Sequence, residues 1–164
     1  MLNLILCALA LGVGATLFMD LAALMHKALG LSTLNMRFVG RWLIHLMHAN
    51  KTRKNSVIWQ SPAMPLEHLT GWLAHYLIGI VFALLLLLFT GTQWLYQPTL
   101  EPALVVGIIS LIAPFFIMQP GFGLGFAANK TANPNLSRLM SLLAHTEFAL
   151  GLYLTALLIS HLAH

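Results

Sequence analysis

The stretch YLIGIVFALLLLLFTGTQWLYQPTL, residues 76–100, decides how this chain folds, because it holds no charged residue and no histidine. A bilayer core about 30 Å thick takes about 20 helical residues to cross. Outward from that run, residues 1–19 and 102–129 are equally free of charge and histidine, and a fourth apolar stretch, 139–160, is interrupted only by His145 and Glu147. The runs predict an all-α polytopic membrane protein, a single domain over 1–164 with transmembrane helices at about 3–26, 69–90, 101–119 and 137–160.

Composition agrees. Only 7% of residues are charged and 59% are hydrophobic, against about a quarter charged in soluble domains. Too little polar surface exists for a soluble monomer, so the lipid bilayer is the expected partner. The net charge of +4 does not point to nucleic acid, because the basic residues sort by loop. Lys27, Arg37, Arg41, Lys51, Arg53 and Lys54 lie between the first two spans, and Lys130 and Arg138 between the last two. Both termini are therefore expected on the side away from the cytoplasm. The first span has no basic segment before it and runs on past Ala8 and Ala10, so it reads as a retained helix rather than a signal peptide. A lone Cys7 excludes an internal disulfide and a Cys-pair metal or redox motif.

In the first cytoplasmic loop, Phe38, Val39, Trp42, Leu43 and Leu46 recur at helical spacing opposite Arg37, Arg41, His45 and His48, predicting an interfacial amphipathic helix with a wetted polar face. His45 and His48 are spaced for a metal, but the nearby arginines repel a cation. Residues 50–65 read as a polar connector. The second loop, QPGFGLGF at 119–126, is apolar yet rich in helix breakers. As one helix, residues 102–129 would reach about 42 Å, so a break is expected at Pro120 and Gly121, with the following segment folded back at the cytoplasmic interface or re-entering it shallowly, buried against protein. Pro114 has no N–H to give the Ser110 carbonyl, which predicts a bend and an oxygen that either lines a cavity or is satisfied by a neighbouring helix. Trp42, Trp72, Trp94 and Tyr96 fall near span ends, as aromatic belts do.

Ionisable residues inside spans are costly and count as functional candidates. Here they are Asp20, His75, His145 and Glu147, with Gln119 as a neutral companion. At 1.5 Å per residue, Asp20 lies about 10 Å before Lys27, His75 about 12 Å beyond Glu67, and His145 about 10 Å beyond Arg138, a common depth on the cytoplasmic side. Small residues share their faces: Ala8, Gly12 and Thr16 with Asp20, Gly71 and Gly79 with His75, Ser141 and Ala149 with His145. Glu147 points about 200° away from His145, toward a different neighbour or a second protomer. The competing reading of each histidine is interhelical glue, bonded to a carbonyl or hydroxyl.

The strings Gly14-Ala15-Thr16, Met19-Asp20-Leu21, Val39-Gly40-Arg41-Trp42-Leu43, the run 71–79 (GWLAHYLIG), 113–120 (APFFIMQP), 123–128 (GLGFAA) and 141–145 (SLLAH) together resemble a bacterial integral membrane family known as domain of unknown function number 2938. The resemblance covers nearly the whole chain, with the Ala-Pro-Phe-Phe to Gln-Pro segment its most specific part. It implies a four-span protein of the bacterial inner membrane, and it supplies no activity, ligand or catalytic residue.

Three functions compete. The first is binding or movement of a small ligand or ion, a proton or a metal, at Asp20, His75 and His145 with Gln119 and Glu147. The same groups are candidate ligands for zinc or iron. The second is a b-type haem protein with His75 and His145 as axial ligands. The third is a non-catalytic scaffold or assembly partner. No nucleophile and base stand at recognisable spacing, which weighs against an enzyme. Four short helices make a thin wall for a pore, so a homodimer is the assembly expected if one forms.

Overall fold

The computed structural model describes residues 4–47 and 57–162; His48, Lys51, Arg53, Lys54 and His164 lie outside them. Six α-helices follow in order: α1 (Leu4–Ala28), α2 (Met36–Met47), α3 (Glu67–Thr90), α4 (Leu100–Ser110), the short α5 (Gln119–Gly121) and α6 (Pro134–Leu162). A π-helical segment, Ala113–Met118, joins α4 to α5. The described residues contain no strand. Four helical stretches are long and apolar enough to cross a membrane, Leu4–Ala28, Glu67–Thr90, Leu100–Gly121 and Pro134–Leu162, within a few residues of the spans read from the uncharged runs. The chain is an integral membrane protein. Its outward surface fits that solvent: Ile5, Leu9, Val13, Leu17, Leu21 and Leu24 form an exposed stripe on α1, while Ala8, Leu11 and Ala15 are buried.

Local chemistry sets the ends. Past α1, Gly30 takes φ 80°, and the N–H groups of Leu31 and Gly30 donate to the carbonyls of His26 (2.9 Å) and Lys27 (3.1 Å). This is the paired closure that favours glycine. Asn35 accepts the Arg37 N–H at 3.0 Å to start α2, and Asn133 accepts the Leu136 N–H at 3.2 Å to start α6. Pro134 then opens α6 where no N–H is required.

Two compact units make up the chain. The first takes in the chain to Thr33, Tyr76–Ser110, and the chain from Leu142. Leu11 and Ala15 of α1, Leu86 and Leu87 of α3, Ala103 and Val106 of α4, and Leu152 and Ala156 of α6 share one buried core. Small residues bring the backbones together. A Cβ on Gly12 would overlap Ile80 of α3, one on Gly107 would overlap Ala149 of α6, and one on Gly151 would crowd the Ala15 carbonyl. Trp94 is buried rather than belt-like, at 7% exposure, and its Nε1 has no hydrogen-bond partner. It sits in the short turn Thr92–Leu95 that this core covers.

The second unit comprises Leu34–His75 and Leu111–Ser141. Here α2 lies against the start of α3 with no room for side chains: a Cβ on Gly40 would overlap the Glu67 carbonyl, and one on Gly71 the Met36 carbonyl. The amphipathic helix is where the sequence put it, but of its described polar face only Arg37, with its side chain 54% exposed, is wetted. Arg41 and His45 are buried, because that face meets Glu67 and the segment 57–66 instead of water. Arg41 donates through Nε and Nη2 to Glu67 (2.8 and 3.0 Å) and through Nη1 to the Ser61 carbonyl (2.9 Å). The hydrogen bond to Glu67 raises the guanidinium above its already high ordinary pKa. His45 Nε2 lies 3.3 Å from the Pro62 carbonyl. Within the described part of the connector, Ile58 is buried with Val39 and Phe122 and its N–H donates to the Phe122 carbonyl at 3.1 Å.

The third span is distorted at Pro114 and ends at Gly121. Across Ala113–Met118 the turn widens, and the Gln119 N–H reaches the Pro114 carbonyl five residues back. That register carries the chain through Pro120 without a break there. Closure comes at Gly123 (φ 80°), with Leu124 N–H on the Gln119 carbonyl (2.9 Å) and Gly123 N–H on the Pro120 carbonyl (3.0 Å). Phe122 then folds back into the small core, edge-on to Trp42 at 5.9 Å.

Candidate functional site

The first unit holds three of the predicted residues, each presented by a helix packed through small neighbours. Asp20 follows the buried Ala8, Gly12 and Thr16 along α1. Its Oδ2 accepts the Tyr76 hydroxyl at 2.9 Å. On α6, His145 Nδ1 lies 2.5 Å from the Ser110 hydroxyl, which itself donates to the Gly107 carbonyl at 2.6 Å. With the hydroxyl hydrogen so placed, Nδ1 is the donor to Ser110 Oγ. Glu147, two residues on, is buried at 9% exposure and turns to α1, where its Oε1 lies 3.1 Å from His26 Nε2. The two side chains of α6 therefore face different helices, as a 200° separation requires.

In the second unit, His75 is half-buried and stands edge-on to the Trp72 indole at 5.8 Å. Gln119 is buried at 5% exposure; its Nε2 donates to the Ser141 hydroxyl at 3.1 Å, and its Oε1 has no hydrogen-bond partner. Ser141 passes its own hydrogen to the Ser137 carbonyl at 3.0 Å. Pro114 is buried, and Gly121 is pressed against the Trp42 indole.

The partners of these candidates are residues that sequence reasoning passed over. His26 is simply the last position of the first span read from the sequence, about 3–26. Tyr76 was counted only as the start of an apolar run, and Ser110 only for its carbonyl. A signal existed for His26: a buried carboxyl on α6 needs a donor, and His26 is the basic side chain nearest the apolar part of α1. Among the described residues no three of His, Cys, Asp and Glu stand together so as to hold a metal ion. The chemistry these pairs can perform is protonic. A histidine 3.1 Å from a buried carboxyl is close enough to share one proton with it, and a Tyr–Asp hydrogen bond holds a second carboxyl in place.

The family described as protein of unknown function (DUF2938) matches residues 9–159. No curated protein and no solved structure matches the chain.

Proposed function

We propose, for a chain that belongs to the DUF2938 family, that it is a proton-binding module of the bacterial inner membrane, taking up and releasing a proton at ionisable groups within its spans. The His26–Glu147 pair carries this reading, because a buried carboxyl joined to a histidine is costly to hold in apolar surroundings and on that ground counts as a functional candidate. Asp20, bonded to Tyr76, supplies a second acidic group, on the helix α1 that also carries His26. The orientation that goes with the proposal puts both termini outside the cytoplasm, on the side opposite the basic connections.

The test is proton uptake by the purified protein, with infrared difference spectra across a pH titration and dye-reported flux in proteoliposomes. Glu147→Gln is expected to remove a carboxyl band that titrates in the wild type and to lower proton flux about tenfold or more, the scale of losing a proton-relay group. Asp20→Asn is expected to act in the same direction. Unchanged spectra and flux in both variants would sink the proposal. A stoichiometric metal in elemental analysis, or a Soret band in the absorption spectrum, would replace it with the metal or haem reading.

One observation favours the scaffold reading for His145 alone. Its contact with Ser110, itself bonded to Gly107, links α4 to α6 in the manner of interhelical glue. Ser110→Ala is then expected to lower thermal stability by about 1 kcal/mol while leaving proton uptake unchanged, and a loss of uptake would return His145 to the proton site.

A further inference from the structure

We propose that the open pocket at the start of α3 binds the headgroup of an anionic phospholipid. The site is distinct from the proton-binding pairs and does not depend on them. It has a volume of about 460 Å³ and is lined by Arg37, Met64, Leu66, Glu67 and His68 among others.

Charge is the first argument. Glu67 is buried at 4% exposure and its oxygens are fully engaged. They accept from Arg41 Nε (2.8 Å) and Nη2 (3.0 Å), from Arg37 Nε (3.0 Å), and from the Met64 N–H (3.0 Å), and Arg37 Nη2 stands at 2.9 Å. One carboxylate against two guanidinium groups leaves a surplus positive charge. Arg41 is enclosed, so the surplus is presented by Arg37, whose side chain is 54% exposed. A saturated carboxylate has no lone pair left to draw in a cation, so the pocket favours an anion.

Hydrogen-bond polarity is the second. The Trp72 indole N–H donates to His68 Nε2 at 3.1 Å, which puts the proton of a neutral His68 on Nδ1 and makes that atom a donor. Arg37 and His68 therefore both offer N–H groups at the pocket, beside the positive end of a helix that runs to Thr90.

Apolar surface is the third. Leu66, just before α3, and Leu69 and Leu73 on its first turns are 71%, 52% and 64% exposed and lead from the pocket into the span. A ligand with an anionic head and hydrocarbon tails satisfies both parts, and basic pockets at membrane-helix ends are suited to such headgroups. A zwitterionic lipid brings its own ammonium and gains less from the surplus charge.

The experiment uses the full chain in detergent, with native mass spectrometry for bound lipid and thermal unfolding against added phosphatidylglycerol, phosphatidylcholine or inorganic phosphate. Phosphatidylglycerol is expected to be retained and to raise the unfolding temperature, with Arg37→Gln weakening its apparent affinity about tenfold. His68→Phe is expected to weaken it in the same direction, and decides the matter should Arg37→Gln fail to fold. An equal shift with phosphatidylcholine, an equal shift with inorganic phosphate, or undiminished phosphatidylglycerol affinity in the variants would each overturn the proposal.

Discussion

Glu67→Ala is expected to cost about 3–5 kcal/mol of stability, the range for breaking a buried ion pair from one side. Arg41 is 8% exposed and donates two of its hydrogen bonds to the Glu67 carboxylate. Alanine leaves that guanidinium enclosed, with the Ser61 carbonyl as hydrogen-bond acceptor and the Phe38 ring beneath it. Thermal unfolding in detergent, or the yield of folded protein from membranes, reads the loss. Arg37→Ala should cost under about 1 kcal/mol, since its exposed side chain behaves as a surface partner. The double variant Glu67→Leu with Arg41→Met is the sharper check. If the cost of the single change is a stranded charge, replacing both ends by apolar side chains recovers most of it. A double variant no more stable than Glu67→Ala would show that shape, not charge, governs the contact.

Gly71→Leu is expected to undo the docking of α2 on α3. A Cβ at this position already overlaps the Met36 carbonyl, and the reciprocal contact runs from Gly40 to the Glu67 carbonyl. Backbone on both sides cannot rotate away as a flexible side chain can, so α2 must move, and the Arg41–Glu67 bonds stretch with it. Overpacking alone costs about 1–3 kcal/mol; with the buried pair disturbed as well, the expected result is loss of the packed arrangement. Trp42, set against Phe122 in the same unit, reports it as a red-shifted fluorescence, and α2 becomes open to protease. Leu77→Ala, at an exposed position of the same helix, is expected to show neither effect. Equal behaviour of the two variants would remove the close approach as the cause.

The spans were legible because lipid imposes a local rule: every backbone polar group must be satisfied within the segment, so each crossing is a contiguous apolar helix that can be counted along the chain. Helix faces were legible for a related reason. Ala8, Gly12 and Thr16 repeat at a spacing that lines one side of α1, and all three are buried. The widened turn at Pro114 showed only as a proline in an apolar run; that it is π-helical, and carries the chain past Pro120 to Gly121, depends on which carbonyl the Gln119 N–H reaches.

By itself, then, the sequence determined that the chain is helical, that it lives in lipid, where it crosses, and which few polar side chains are carried into the spans. Each follows from composition and period within one segment. Only the tertiary structure decided what those side chains meet: Glu147 with His26, Asp20 with Tyr76, and Arg41 turned inward onto a glutamate that the sequence left as a plain span end. The physical reason is rotation. A helix's period says which residues share a face, but the neighbour that face meets is set by where small residues let two backbones touch, a property of pairs of helices far apart in the chain.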